Sequence, residues 1–413
     1  PGQPRSYVEK LPGVLRANQH KFDCVGQFKD RCSSLEACGS IPDKIEVVVL
    51  GGTLNSYPVE YVDEFIRDIY YSANTYKKEE RDRLSLEEEI EINQNSDCHI
   101  IGLSLETRPD RIDEETLIRF RRYGVTKVQM GVQHLNQRFL DRVNRGHTVR
   151  DSIDAIRNLK NCGFKVQIHI MLDMPHPFKE DIIIPDNPSE ITEDMIDYSI
   201  DVQEEDLKMI EELFSDPKYF VDDIKLYPTM AVEYSAILED YKKNIFRPYG
   251  ELQEDGTDKL FDVIVQYFLN CRYDCRTDRV IRDFPVKQYV KGGTKRSSMC
   301  SDLYQYLQKY HEHNVSDIRF CEIRNNKFDP NDVIMVVRET YVSDGVDYFL
   351  SFNTSDMRYI LGFLRLRITE DSGYFKKNNI RTQVFPELED CAMIRELHIY
   401  GSAIKVGSTG SSV

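Results

Sequence analysis

No stretch of the chain approaches the roughly 18 consecutive apolar residues that a membrane-spanning helix needs, and no segment reads as a secretory signal. Cysteine is thinly spread. The ten cysteines stand singly, which argues against a disulfide scaffold and for a reducing, cytoplasmic compartment. Internal repeats and low-complexity tracts are absent, so solenoid and array architectures are excluded. What remains is a globular profile, 30% charged and 40% hydrophobic, and 413 residues leave room for two or three domains.

The net charge of −16 argues at first against a nucleic-acid partner. Its distribution reverses that reading. Residues 177–223 hold 16 Asp and Glu against three Lys and no Arg, a net of −13, and all other residues carry only −3. The Pro-rich start of this segment fits a surface insertion over 177–205, outside the catalytic path and dispensable for folding. Residues 271–296 carry eight Lys and Arg against three Asp, so basic patches have room elsewhere.

The stretch IEVVVLGGTLNSYP (45–58) organises the chain. Its β-favouring run reads as a buried parallel strand, and the two glycines after it let backbone approach a ligand closely. Strands are expected at 99–105, 127–132, 165–171 and 224–227. Helices are expected at 22–39, 59–71, 113–123 (capped by Asp113), 136–143, 149–162 and 200–214. At least five strand–helix steps with short connections predict a parallel barrel, whole or partial. From residue 333 the texture becomes antiparallel, and residues 301–310 read as a helix before it.

Four stretches fall at or near strand ends: Gly51-Gly52-Thr53, the ETRPD of 106–110, GVQHLNQRFLDRVNRGHTV at 131–149, and GFKVQIHIMLDMP at 163–175. In a barrel these ends converge on one mouth. Together with LRANQHKFD (15–23), KLYPT (225–229), RVIRDFP (279–285), LGFLRLR (361–367) and IRELHIYGSA (394–403), they resemble the radical S-adenosylmethionine (SAM) enzymes, and within them the catalytic subunits of Elongator. The resemblance runs collinearly through nearly the whole chain. It implies an α/β fold, a partial radical-SAM barrel over 1–294, a linking region over 295–332, and an α+β domain like the GNAT acetyltransferases over 333–413. It further implies 5-carboxymethylation of the wobble uridine of tRNA from acetyl-CoA. A SAM-derived radical would abstract hydrogen from the acetyl methyl, and the carbon would add to C5 of the uracil.

By that resemblance SAM is held by Gly51, Gly52, Thr53, Glu106, Arg108, Gln133 and His169. Arg108 suits the carboxylate because its planar fork makes paired, charge-assisted bonds. The alternative for Glu106 and Arg108 is a local surface ion pair. Glu396, His398 and Tyr400, on alternate positions of one strand, are candidates to face the acetyl group; half-buried sheet positions are the alternative for His398 and Tyr400. Phosphate contacts are expected from Arg142, Arg145 and His147 near the mouth, and from Arg279, Arg282, Lys287, Lys291, Lys295 and Arg296. Partners would be tRNA, acetyl-CoA and other Elongator-type subunits, with no membrane.

The family's three cluster cysteines, the last two as CxxC, are not in this sequence. Pro1-Gly2 looks like the pair that follows the last of them, so the 4Fe–4S ligands are expected ahead of this chain. Cys24, Cys32 and Cys38 read as inert helix residues. The Gly-rich CoA loop of GNAT domains is likewise not found, and no zinc is expected near Cys321. Rival readings are a protein-lysine acetyltransferase, a non-catalytic tRNA-binding scaffold, and a radical-SAM enzyme acting on another substrate.

Overall fold

The computed structural model describes residues 12–185, 187–232, 235–251, 255–281 and 298–401. Six parallel strands lie in chain order in one sheet: β1 Lys44–Val49, β2 His99–Thr107, β3 Lys127–Gln133, β4 Lys165–Leu172, β5 Asp223–Pro228 and β6 Arg276–Val280. Each neighbour pair is parallel, and the sheet curls into a half-barrel. Helices between the strands begin where the residues supply caps. Asp113 accepts from Thr116 N, and Thr148 with Asp151 forms a capping box at the helix Val149–Asn161.

Side chains alternate across the sheet. One face is apolar. Leu103, Leu105, Val128, Met130, Val166, Ile168, Ile170, Ile224 and Leu226 are fully buried in the main core. Each such side chain contributes about 1.5–3 kcal/mol of burial. The opposite, concave face is polar, and β1, expected to be a buried strand, stands at the sheet edge with Val48 and Leu50 exposed.

The sixth strand escaped the sequence reading. Arg276–Val280 alternates charged residues with Thr277 and Val280, so its apolar signal is weak. Register against β5 and the burial of Thr277 place it in the sheet. The acidic segment is also more than a surface insertion. Phe178, Ile191 and Ile196 form a small core with Ile245, and Arg138 donates to Phe178 O and pairs with Asp197. This corrects the expectation that 177–205 is dispensable: its removal would strip apolar cover and partners from two neighbouring helices.

The C-terminal part holds β7 Val333–Val342, β8 Gly345–Thr354 and β9 Ile360–Thr369, then a hairpin of β10 Tyr374–Lys377 and β11 Ile380–Gln383, then β12 Met393–Ile399. Strands β12, β9, β8 and β7 make an antiparallel sheet in that order. The hairpin lies on the helix Val149–Asn161, where Asn158 both donates to Lys376 O and accepts from Lys376 N. The sheet itself closes the N-terminal rim of the half-barrel. Asp222, just before β5, pairs with Arg395 at 2.6 Å and Arg365 at 3.6 Å. Asp347 pairs with Lys160 at 2.5 Å and Arg367 at 2.8 Å. Among the described residues no helix is long and apolar enough to cross a membrane.

Candidate functional site

The mouth of the half-barrel lies at the opposite end from this rim. After β1 the backbone enters the left-handed region at Gly52 (φ 88°), and a Cβ on Gly51 would meet nothing within 4 Å. Gly52 N approaches Glu106 Oε2 at 3.4 Å, and Glu106 is buried at the end of β2. Thr53 follows, half-buried. Arg108 stands next to this loop, but its Nε and Nη2 are both committed to Asp110, at 2.9 and 3.1 Å. The local ion pair is therefore real, and it neutralises the guanidinium expected to hold a carboxylate.

The end of β3 offers a different cation. Arg145 donates to Gly131 O at 3.1 Å, and no carboxylate among the described residues pairs with it. Burial, helped by the charge of Arg108, lowers its pKa to about 10. Among the described residues its Nε has no partner, and neither has Oε1 of Gln133, whose φ is 72°. Gly131 is what makes this possible: a Cβ there would collide with both Arg145 and the Gln133 amide. His147 is buried beside them, its Nε2 on Val132 O at 3.3 Å. Burial and the Arg145 charge lower its pKa to about 4, so the ring is neutral at pH 7.

These placements correct three phosphate contacts. Arg142 is buried, paired with Asp240 at 2.6 Å and stacked on Phe178, so it braces the fold. Arg145 and His147 point into the mouth rather than outward. The nearby Arg138 is spent on Asp197 as well. Arg279 is exposed on β6. Arg282, Lys287, Lys291, Lys295 and Arg296 lie outside the described residues.

On β12, Glu396 is clamped between Lys165 at 2.6 Å and Arg365 at 2.8 Å. Burial opposes its ionisation, yet Lys165 and Arg365 outweigh burial and hold its pKa at about 2. Such a carboxylate is a poor proton acceptor at neutral pH and a good anchor between sheet and barrel. His398 is exposed, lies parallel to the Phe363 ring at 5.8 Å and touches Tyr400, with centroids 4.4 Å apart. Burial raises the pKa of Tyr400, helped by Glu322. The three residues share a sheet face, but only His398 and Tyr400 retain freedom to meet a ligand.

Between rim and mouth runs the concave face. Ser104 lies across from Lys127, Glu106 from Gln129, Gln129 from Gln167, and His169 from Lys225. Lys225 Nζ donates to Gln129 Oε1 at 2.6 Å, and His169 Nε2 lies 3.3 Å from the same oxygen. The sequence reading placed His169 with SAM and passed over Gln129 and Lys225. The signal was there: QIH and KLY put a polar side chain at every second position of an otherwise apolar strand.

Residues 36–183 match the family model of the Radical SAM superfamily. The tRNA uridine(34) acetyltransferase of Methanocaldococcus infernus is 31% identical over 405 residues, covering 96% of this chain and 67% of its own length. The chain belongs to the Elongator protein 3 family of radical SAM enzymes. A second tRNA uridine(34) acetyltransferase, from Methanocaldococcus jannaschii, is also 31% identical, over 96% of this chain and 66% of its own. Elongator complex protein 3 of Dictyostelium discoideum is 26% identical over 97% of this chain and 64% of its own. The chain thus spans about two thirds of the length of these relatives. The solved structure of archaeal Methanocaldococcus infernus Elp3 with an N-terminal deletion superposes with a TM-score of 0.77 at 28% identity, covering 93% of this chain and 81% of that one.

The superfamily implies SAM and a 4Fe–4S cluster. The mouth fits SAM: a half-buried guanidinium that no carboxylate among the described residues meets and an unpaired amide oxygen match the two charges of its amino-acid end. It does not supply the cluster. Among the described residues no three Cys, His, Asp or Glu side chains converge as metal ligands.

Proposed function

We propose that this chain modifies the wobble uridine of tRNA, building a 5-carboxymethyl group from acetyl-CoA as an Elongator-type catalytic subunit. The observation that carries the reading is the cavity end of β3, where Arg145 and Gln133 hold unpaired polarity in a family-matched half-barrel. Arg145 would take the carboxylate of SAM, with Arg108 as a weaker neighbour screened by Asp110. Gln133 Oε1 and Glu106 would accept from its ammonium, and the Gly51–Gly52 backbone would let the sulfonium end approach. When bound there, SAM would supply the hydrogen-abstracting chemistry directed at the acetyl methyl, and these residues would hold and orient it.

His398 and Tyr400 would meet the acetyl group, and Glu396 would fix their strand. The exposed Arg279 and the basic residues beyond it would hold tRNA phosphates, and the acidic segment would lie away from that surface. Other Elongator-type subunits are the expected protein partners. Nucleoside mass spectrometry of tRNA from cells lacking this gene should show loss of 5-carboxymethyluridine derivatives at the wobble position. An unchanged nucleoside profile would overturn the reading.

A further inference from the structure

The concave face contains a buried cation that neither the mouth nor the rim uses. Lys225 is only 8% exposed, halfway along β5. Among the described residues its one hydrogen bond goes to a neutral amide, and the nearest carboxylate that pairs with it, Asp278, stands 3.9 Å away. The neighbouring lysines are treated differently: Lys165 sits 2.6 Å from Glu396 and 3.2 Å from Asp223. Burial pulls the Lys225 ammonium below the usual lysine range, against the opposing charges of Asp278 and Glu106. A buried ammonium with three donors and one close acceptor has donors to spare.

Its surroundings aim it. Gln129 is itself held, its Nε2 donating to Ser104 Oγ at 2.7 Å, which fixes which amide atom faces the lysine. That oxygen gathers Lys225 and His169 on one spot, and the Tyr227 ring meets His169 edge-on at 6.0 Å. The result is a directed donor beside aromatic surface, on the wall between the SAM mouth and the rim that carries β12.

We infer that Lys225 is a substrate-binding group, which Gln129 positions to donate a hydrogen bond to a ring carbonyl oxygen of the uracil base. The inference rests on the function proposed above. Of the two carbonyl-bearing reactants, uracil suits the site better. Its O4 is an amide-type acceptor, stronger than a thioester oxygen, and its flat ring suits an aromatic wall. Cytosine presents an amino group at the same place and would set donor against donor.

The test uses anticodon stem-loop RNAs that differ only in U or C at the wobble position, with binding followed by fluorescence anisotropy. The parent protein should prefer the U form by about tenfold or more, the scale of one charge-assisted hydrogen bond. Lys225→Met, similar in length and uncharged, should abolish that preference while binding the C form as the parent does. Gln129→Met keeps the lysine but frees it, and should reduce the preference several-fold; it serves if Lys225→Met fails to fold. The U-to-C ratio cancels any general loss of RNA affinity, so a merely structural role would leave it unmoved. A parent without uridine preference, or a preference unchanged in both variants, overturns the inference while leaving the proposed function standing. A parent that binds neither RNA overturns both.

Discussion

The two ends of the half-barrel handle buried charge in opposite ways. At the N-terminal rim every buried charge named has an opposite partner: Asp222 with Arg395 and Arg365, Asp347 with Lys160 and Arg367, Glu396 with Lys165 and Arg365. At the mouth Arg145 has no carboxylate, and Arg145 Nε, Gln133 Oε1 and His147 Nδ1 have no partner among the described residues. A buried polar group without a partner costs stability, so a fold keeps one where something else gains from it. Charge pairing at the rim marks a structural joint between barrel and C-terminal sheet, although single atoms there, Arg395 Nε and Asp223 Oδ1, also lack a partner among the described residues. The mouth differs in holding a guanidinium that no carboxylate among the described residues meets, the feature on which the proposed SAM site rests.

Breaking the joint should have the largest effect. Asp222→Ala leaves Arg395 and Arg365 buried without their shared anion, and should cost about 3–5 kcal/mol in urea unfolding. A loss under about 1 kcal/mol would mean that the rim charges are solvated and the contrast is false.

The acidic segment comes next. Replacing residues 177–199 with a Gly/Ser linker removes Phe178, Ile191 and Ile196 from their cluster and Asp197 from Arg138. Thermal unfolding should show a clear loss of stability, about 2–4 kcal/mol, on the scale of a few buried side chains. An unchanged melting temperature would return the segment to a dispensable loop.

Acid should act on the rim and spare the mouth. Burial would raise the pKa of Asp222, Asp347 and Glu396, but their cationic partners outweigh it, and all three are held below the usual carboxylate range. Their contribution is present above the unfolded carboxylate pKa of about 4 and is lost as pH falls below it. Melting temperature should therefore drop between about pH 4 and 2, the Glu396 part fading near its folded value of about 2. A Glu396→Gln variant should lose less over that interval. Equal losses would remove Glu396 from the joint.

The smallest effects belong to the mouth and concern binding rather than folding. Arg145→Ala should weaken SAM binding in calorimetry by about 1.5–3 kcal/mol with little change in stability. Arg108→Ala should cost less, under about 1 kcal/mol, because Asp110 already occupies its fork. The reverse ranking would restore Arg108 as the carboxylate ligand.

Much of this was legible along the chain. Local signals carry over directly: Asp113 caps the helix it precedes, and the five apolar strands stand where β-favouring runs do. The convergence of the GGT, ETRPD and GVQ stretches on one mouth followed from parallel strand order alone. The direction of the arginines did not. Arg142, Arg145 and Arg138 belong to one basic cluster in sequence, yet one pairs with Asp240, one faces the mouth and one holds Asp197. The difference lies in partners that stand 98, 14 and 59 positions away in the sequence.

Composition, periodicity and capping by themselves determined many of the helices, though not Pro12–Gln19, Ala236–Lys242 or Lys259–Asn270, with most of the barrel strands and the stretches at their ends, because those depend on neighbours within a few residues. The tertiary structure decided which charges are spent. A guanidinium looks the same in sequence whether a carboxylate meets it or not. Only the packing of β12 against the rim, and the room that Gly131 leaves for Arg145, separate the charges that hold this fold together from the one proposed to meet a ligand.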